Sequence, residues 1–377
     1  MKLTDNLRLM CILMAFAIGL TACGKTEHVN SSTAIENMQS RVAAVGNSQS
    51  GVPQVGSSQS VVASVGAATP KILNWDLLAG SVDGGYVDGA GAVARFFNPG
   101  GITTDSTGNV YVADYSNKAI RKITPSGATT TVARKSKLDS VRAIAVDGSG
   151  DVFALVGNDN AIYKVTPAGS VTTFAGKEGV NGNVDGVGSA ARFNRLNSIA
   201  TDSSGNVYVS DTEEQTIRKI TPSGMVTTFA GQKGVRGSAD GSGTAASFDE
   251  PQGLVTDGAG NVYVADNYNN AIRKITPDGV VTTLAGKSGV DGFGRDDGIG
   301  AMAKLAGPSY IAIDGVGNLY VSEASQQTIR KITPSGVVTT LKSDTSGLIR
   351  IEQAVAAFGT SLYNLMGNEV IVTKIVQ

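Results

Sequence analysis

Residues 253–286 read GLVTDGAGNVYVADNYNNAIRKITPDGVVTTLAG. Four short runs lie in this stretch: GLVTD, NVYVAD, AIRKIT and VVTTLAG. Their Val, Ile, Thr and Tyr content suits β-strands. Three turn signals separate them, DGAGN, DNYNN and TPDG, the last with Pro and Gly where a tight turn wants them. The second run, Val262, Tyr263, Val264 and Ala265, is apolar on both faces. A strand with one wet face would alternate, so this one is expected to lie covered on both sides.

The unit recurs. The Gly before the second run falls at Gly108, Gly150, Gly205, Gly260, Gly317 and Gly359, at intervals of 42, 55, 55, 57 and 42 residues. A period in the forties with four strands per unit is the signature of a propeller blade. The longer intervals imply extra segments in some units. The sixth unit is short: AVAAF, SLYNLM and EVIVTKI run to Gln377 without a fourth strand. Residues 69–80, TPKILNWDLLAG, match that missing piece, down to Thr69 and Pro70. The chain is therefore expected to be all-β: a six-bladed β-propeller with four-stranded blades. An N-terminal strand (69–80) should complete the last blade and remove its free edge.

The pattern D-x-x-G-N-V-Y-V-A-D-x-x-N-x-x-I-R-K-I resembles NHL repeats, in the variant common among exported bacterial proteins. The resemblance spans residues 69–377. Four units match closely, whereas the second (DVFALVGNDNAIYKV) and sixth (SLYNLMGNEVIVTKI) depart from it. NHL propellers host protein binding, RNA binding and enzyme chemistry, so the fold does not fix the function.

Ahead of the repeats, Lys2 and Arg8 precede an apolar run, Leu9 to Leu20, too short to be a comfortable permanent membrane span. It ends in Leu20-Thr21-Ala22-Cys23, which resembles the bacterial lipobox. That resemblance implies a signal peptide at 1–22 and a diacylglycerol on Cys23, hence an exported protein lipid-anchored in the cell envelope. Gly24 is compatible with the outer membrane if the cell is Gram-negative. Residues 23–68, rich in Ser, Gly, Gln, Val and Ala, read as the lipidated Cys and a disordered tether.

Composition narrows the chemistry. The chain has one histidine, His28, in the tether, and two cysteines, Cys11 and Cys23, both ahead of the repeats. Within 69–377 there is no residue set for a disulfide, a Cys/His zinc site, or a Ser–His or Cys–His nucleophile. A formal net charge of −1 gives no basic excess for nucleic acid. Gly286-Lys287-Ser288-Gly289 mimics the tail of a phosphate-binding loop, but Val281 stands where its earlier Gly belongs.

Three sets of polar residues stand out. A carboxylate ends the second strand of four units and an Arg follows seven residues later: Asp114 with Arg121, Asp211 with Arg218, Asp266 with Arg273, and Glu323 with Arg330. The second and sixth units lose both members together, to Val156 and Tyr163 and to Leu365 and Val372. Joint loss is what a buried ion pair predicts, because one stranded charge is costly. Asp105, Asp147, Asp202, Asp257 and Asp314 close the first strands in D-x-x-G-[ND]. They suit Asx-type turns, with a calcium-holding ring as the alternative. The extra segments also share a pattern, DGAGAVARF (88–96), DGVGSAARF (185–193), DGSGTAASF (240–248) and DGIGAMAKL (297–305). It predicts a loop with one helical turn that tucks an apolar side chain onto the ring.

These segments and the loops between second and third strands should share one face. On it fall Tyr115, Asn117, Asp159, Glu213, Glu214, Asn267, Tyr268, Asn269 and Gln326, which differ from unit to unit as recognition residues do. The expected function is an envelope-anchored binding or scaffold module presenting these loops to a protein, peptide or glycan. No cofactor, no catalytic residue and no nucleic acid enter this reading. The protein is expected to be a monomer, held at the membrane by the lipid on Cys23. The alternative is a calcium-dependent propeller enzyme, lactonase- or lyase-like, with a carboxylate-held metal near the channel.

Overall fold

A computed structural model describes residues 71–72, 75–157, 159–288, 292–323, 327–343 and 354–376. The signal peptide, Cys23, the tether, His28, Thr69, Pro70 and Gln326 lie outside the described residues. Within them the chain forms six sheets, one per predicted unit. In blade 1 the strands are Gly101–Thr104, Val110–Asp114, Ala119–Ile123 and Ala128–Arg134, running from the centre outward. Each pairs antiparallel with the next. The protein is an all-β six-bladed propeller.

The first-to-second turn explains the sequence ruler. Gly108, Gly150, Gly205, Gly260 and Gly317 all have φ between +76° and +87°, a region that costs other residues dearly. Another glycine answers a different demand. The innermost strands of neighbouring blades approach so closely that a Cβ on Gly253 would stand 2.4 Å from the Ser309 carbonyl oxygen.

In blades 1 to 5 the second strands are buried along their whole length, as in Val262–Asp266. The apolar clusters span neighbouring blades. Tyr111 and Ile120 of blade 1 pack with Ile144, Ala154 and Tyr163 of blade 2, and each fully buried Val or Ile contributes about 1.5–3 kcal/mol. Blade-to-blade packing is thus the core, which is why both faces of these strands are apolar. Hydrogen bonds add register between innermost strands. Thr104 Oγ1 donates to Ala357 O at 3.0 Å, Thr201 Oγ1 to Val146 O at 2.8 Å, and Thr256 Oγ1 to Thr201 O at 2.6 Å.

The ring closes through the predicted segment. Asp76–Gly80 pairs antiparallel with the last strand, Leu77 opposite Ile371 and Gly80 opposite Glu369. Lys71–Ile72 continues along Ile375 and Val376 and also pairs in parallel with Lys342–Ser343. Asn368 extends the latch into blade 1: its Oδ1 accepts from Asn98 N at 2.9 Å and its Nδ2 donates to Val82 O at 3.2 Å.

The expectation of four strands per blade needs one correction. Four blades have five. The extra segment ahead of blades 1, 3, 4 and 5 runs out over its blade and adds a two-residue strand to the outer edge, as Gly89–Ala90 does against Thr129 and Ala128. A single 3-10 turn follows, such as Gly91–Val93. The chain then returns to the centre with its apolar residue, Phe96, Phe193, Phe248 or Leu305, fully buried. The sequence pattern shows the turn and the apolar plug. Two residues are too short a strand to read from periodicity.

Candidate functional site at the loop face and channel mouth

The repeated charges are absorbed by the scaffold. Arg121 is fully buried; its Nη1 lies 2.8 Å from Asp114 Oδ2 and its Nη2 2.6 Å from Asp88 Oδ1. The same guanidinium donates to the carbonyls of Arg95 and Val87 at 2.9 and 2.7 Å, and it stands 5.1 Å from the Phe96 ring centroid. Arg218, Arg273 and Arg330 repeat this set. Each binds the carboxylate that ends the neighbouring second strand and a second one from the segment, Asp185, Asp240 or Asp297.

Each of these arginines therefore clamps an extra segment to its blade. Blade 2, which has neither Arg nor carboxylate, has no such segment: only residues 135–140 connect Arg134 to Val141 there. Tyr163 takes the Arg position and donates its hydroxyl to Asp159 Oδ2 at 3.0 Å. Clamp and clamped segment are lost together.

Burial dominates the buried carboxyls. It pushes Asp211 up to about 7, against the pull of the Asn194 N–H and Arg218. It pushes Asp266 up to about 6, against Arg273 and the Asp249 N–H. At the half-exposed Asp185 burial also pushes upward, but bonds from Thr228 and Arg218 outweigh it and its carboxyl falls below the usual range.

In the turn series, the carboxylate oxygens are engaged by their own turns. Asp257 Oδ1 accepts from the N–H groups of Ala259 and Asn261, both at 2.9 Å. Its Oδ2 accepts from Asn261 Nδ2 at 2.7 Å and from the Tyr263 hydroxyl at 3.1 Å. Asp105, Asp202 and Asp314 show the same arrangement. Among the described residues, no three His, Cys, Asp or Glu side chains gather into a metal-ligand group.

The loop residues divide. Asn117 and Asn269 are turned inward and buried, a correction to their place among the binding residues. Asn117 Nδ2 donates to Gly85 O at 2.7 Å and Asn269 Nδ2 to Gly237 O at 2.7 Å, and both also reach the buried Asp of the clamp. Asn267 ties blade 4 to blade 5 by donating to Pro308 O at 2.9 Å. Glu214 accepts from Asn194 Nδ2 at 3.0 Å, and Glu213 pairs with Arg195 at 2.8 Å. Tyr268 is 59% exposed. Tyr115 lines the mouth of the central channel.

That channel is a cavity of about 530 Å³ walled by the first strands of all six blades. Most of its wall residues are small, among them Gly101, Ala143, Ser198, Gly253 and Ala356. At its loop-face end the first strands present two outsized side chains, Arg142 and Tyr310, which sequence reading passed over. Arg142 occupies the register of Gly100, Asn197, Gln252 and Ser309; Tyr310 occupies that of Gly101, Ala143, Ser198 and Gly253. Aligning the first strands would have exposed both as the odd members of small or neutral columns. Arg142 Nη2 donates to Leu196 O, and the charge also senses Tyr115 and Tyr310. Burial, and secondarily Arg195, pull its pKa down.

The fold defines a six-bladed propeller with a polar channel mouth. Residues 96–123 and 248–275 match the family model for the NHL repeat, and with the six-bladed ring they make this chain an NHL-repeat propeller. Suppressor of quenching 1, a chloroplastic protein of Arabidopsis thaliana, is 36% identical over 97 residues, which are 26% of this chain and 9% of that protein. This chain thus matches only a small part of that relative's length. A solved auxiliary nutrient binding protein from Bacteroides thetaiotaomicron is 14% identical with a TM-score of 0.59, over 80% of this chain and 76% of that one. Virginiamycin B lyase from Staphylococcus aureus is 15% identical with a TM-score of 0.52, over 81% of this chain and 100% of that one. At such identities these two likenesses speak for the fold alone.

Proposed function

We propose that this chain is a binding module of the bacterial cell envelope, anchored through a lipid on Cys23, that engages a protein, peptide or glycan with its loop face. One observation carries the reading. The repeated charges are spent on clamping segments and shaping turns, whereas the side chains that break the repeat, Arg142, Tyr115, Tyr310 and Tyr268, gather on one face. A rigid ring with irregular polar and aromatic side chains at one end suits recognition. Residues 69–377 contain no histidine, so acid–base or metal chemistry that needs an imidazole has no residue to perform it.

The test compares the two faces. The full-length protein captures its partner from an envelope extract of the cells that make it. Tyr268→Glu, on the loop face, is expected to weaken capture about tenfold, because it puts a charge into the contact. Val316→Glu, in the first-to-second turn of blade 5 on the opposite face, is expected to leave capture unchanged. The reverse pattern would refute the reading.

A further inference from the structure

The absence of an extra segment at blade 2 has a second consequence. In blades 1, 3, 4 and 5 the segment lies over the loop face of its blade. At blade 2 a groove of about 530 Å³ stands open instead, lined by Tyr115, Lys137, Asp139, Arg142, Asp159 and Glu178 among others. Tyr115 and Arg142 line both this groove and the central channel. The two cavities therefore meet at the guanidinium of Arg142.

The charges along this path are unlike those of the scaffold. Arg121, Arg218, Arg273 and Arg330 each hold two carboxylates. Arg142 has no carboxylate within ion-pair distance among the described residues, and its one protein acceptor is the neutral carbonyl of Leu196. A partly buried guanidinium with one neutral acceptor is an open seat for an anion, and a carboxylate fits its fork. Beyond it the groove turns acidic. Lys118 pairs with Asp139 at 2.8 Å, which leaves Asp159 and Glu178 facing Lys137 and Arg142. Asp159 accepts from the Tyr163 hydroxyl, and Glu178 is exposed. Arg195, the other cation near Arg142, is already paired with Glu213. Two acids and two bases balance, so a polyanion gains little here, while a ligand with one negative and one positive end meets a complement for each.

We propose that the channel mouth and the blade 2 groove form one site for a short peptide with free termini. Its carboxylate sits on Arg142, flanked by Tyr115 and Tyr310, and its ammonium lies against Asp159 and Glu178. This deepens the binding-module reading and rests on it only for the choice of face.

The experiment incubates the full-length protein with an equimolar mixture of tripeptides with free termini and measures retention by mass spectrometry. Parallel mixtures are C-terminally amidated or N-acetylated. Retention of each blocked mixture is expected to fall about tenfold, the worth of one charge-assisted contact. Arg142→Gln should abolish the difference between acid and amide, and Asp159→Asn should shrink that between free and acetylated amines. Inorganic phosphate should not compete. Equal retention of acid and amide, an unaltered preference in Arg142→Gln, or no retention of free tripeptides would each overturn the proposal. Persistent partner capture that depends on Tyr268 would then show that the binding-module reading survives.

Discussion

Asp88, in the segment ahead of blade 1, and Arg121, in that blade's third strand, meet at 2.6 Å although 33 residues separate them. The same contact recurs in every blade that carries an extra segment, as Asp185 with Arg218, Asp240 with Arg273 and Asp297 with Arg330. The repeat thus builds its own fastening. Removing the segment-side carboxylate should loosen the segment more than it destabilises the fold. Asp240 is half exposed, so Asp240→Ala should cost only about 0.5–1 kcal/mol. Amide hydrogen exchange in residues 237–248 should quicken while the second strand, Val262–Asp266, stays protected. Uniform exchange changes would contradict the clamp.

The buried half of the clamp is expected to behave as a coupled pair. Asp266→Ala leaves Arg273 with only its half-exposed partner and should cost about 3 kcal/mol. Arg273→Ala should cost a similar amount. The double variant should cost about 2 kcal/mol less than the sum of the two, as measured by denaturant unfolding. Strict additivity would show that the pair does not act as one.

A pH dependence follows from the raised buried carboxyls, Asp211 and Asp266 foremost. Asp211 and Asp266 titrate in the folded protein near about 7 and about 6, above the unfolded value for Asp. The folded state therefore binds more protons between that value and pH 7, and stability rises as pH falls through the window. At Asp105 and Asp257 burial pushes upward, but turn hydrogen bonds, led by those from Asn109 and Asn261, outweigh it and lower the pKa. Their contribution is present above the unfolded value and is lost as pH falls through the depressed folded one. The melting temperature should thus rise from pH 8 to about pH 5 and drop below about pH 4. Asp266→Asn should flatten the rise.

Closure makes a separate demand. Deleting residues 69–80 exposes the last strand and empties the place of Ala79, which is buried with Val370 and Phe96. The melting temperature of the otherwise full chain should fall by about 5 °C or more. An unchanged value would mean that the ring does not depend on this strand.

Much of this architecture was legible because it repeats. The Gly at each first turn, the doubly apolar second strand and the stray strand at 69–80 fix blade number, burial and closure by counting. The acid and Arg seven residues apart could be matched because they vanish together. The partner carboxylates were visible in the DG of each segment, but two whole strands of blade 1 lie between Asp88 and Arg121 and hide the contact. Asn117 and Asn269 were read as recognition residues because loop position does not reveal side-chain direction. Arg142 and Tyr310 escaped because they occupy the first strand, the least regular of the four, where only a column-by-column comparison makes a single large residue stand out.

In this reading the repeated residues build the ring and the exceptional ones do its work on the loop face. Site-specific photo-crosslinking in the cells that make the protein tests it most directly, with probes at Tyr115 and Tyr268 on the loop face and at Thr107 and Ser204 in the opposite turns. Partner adducts are expected from the first two positions and none from the others. Adducts confined to Thr107 and Ser204 would contradict it.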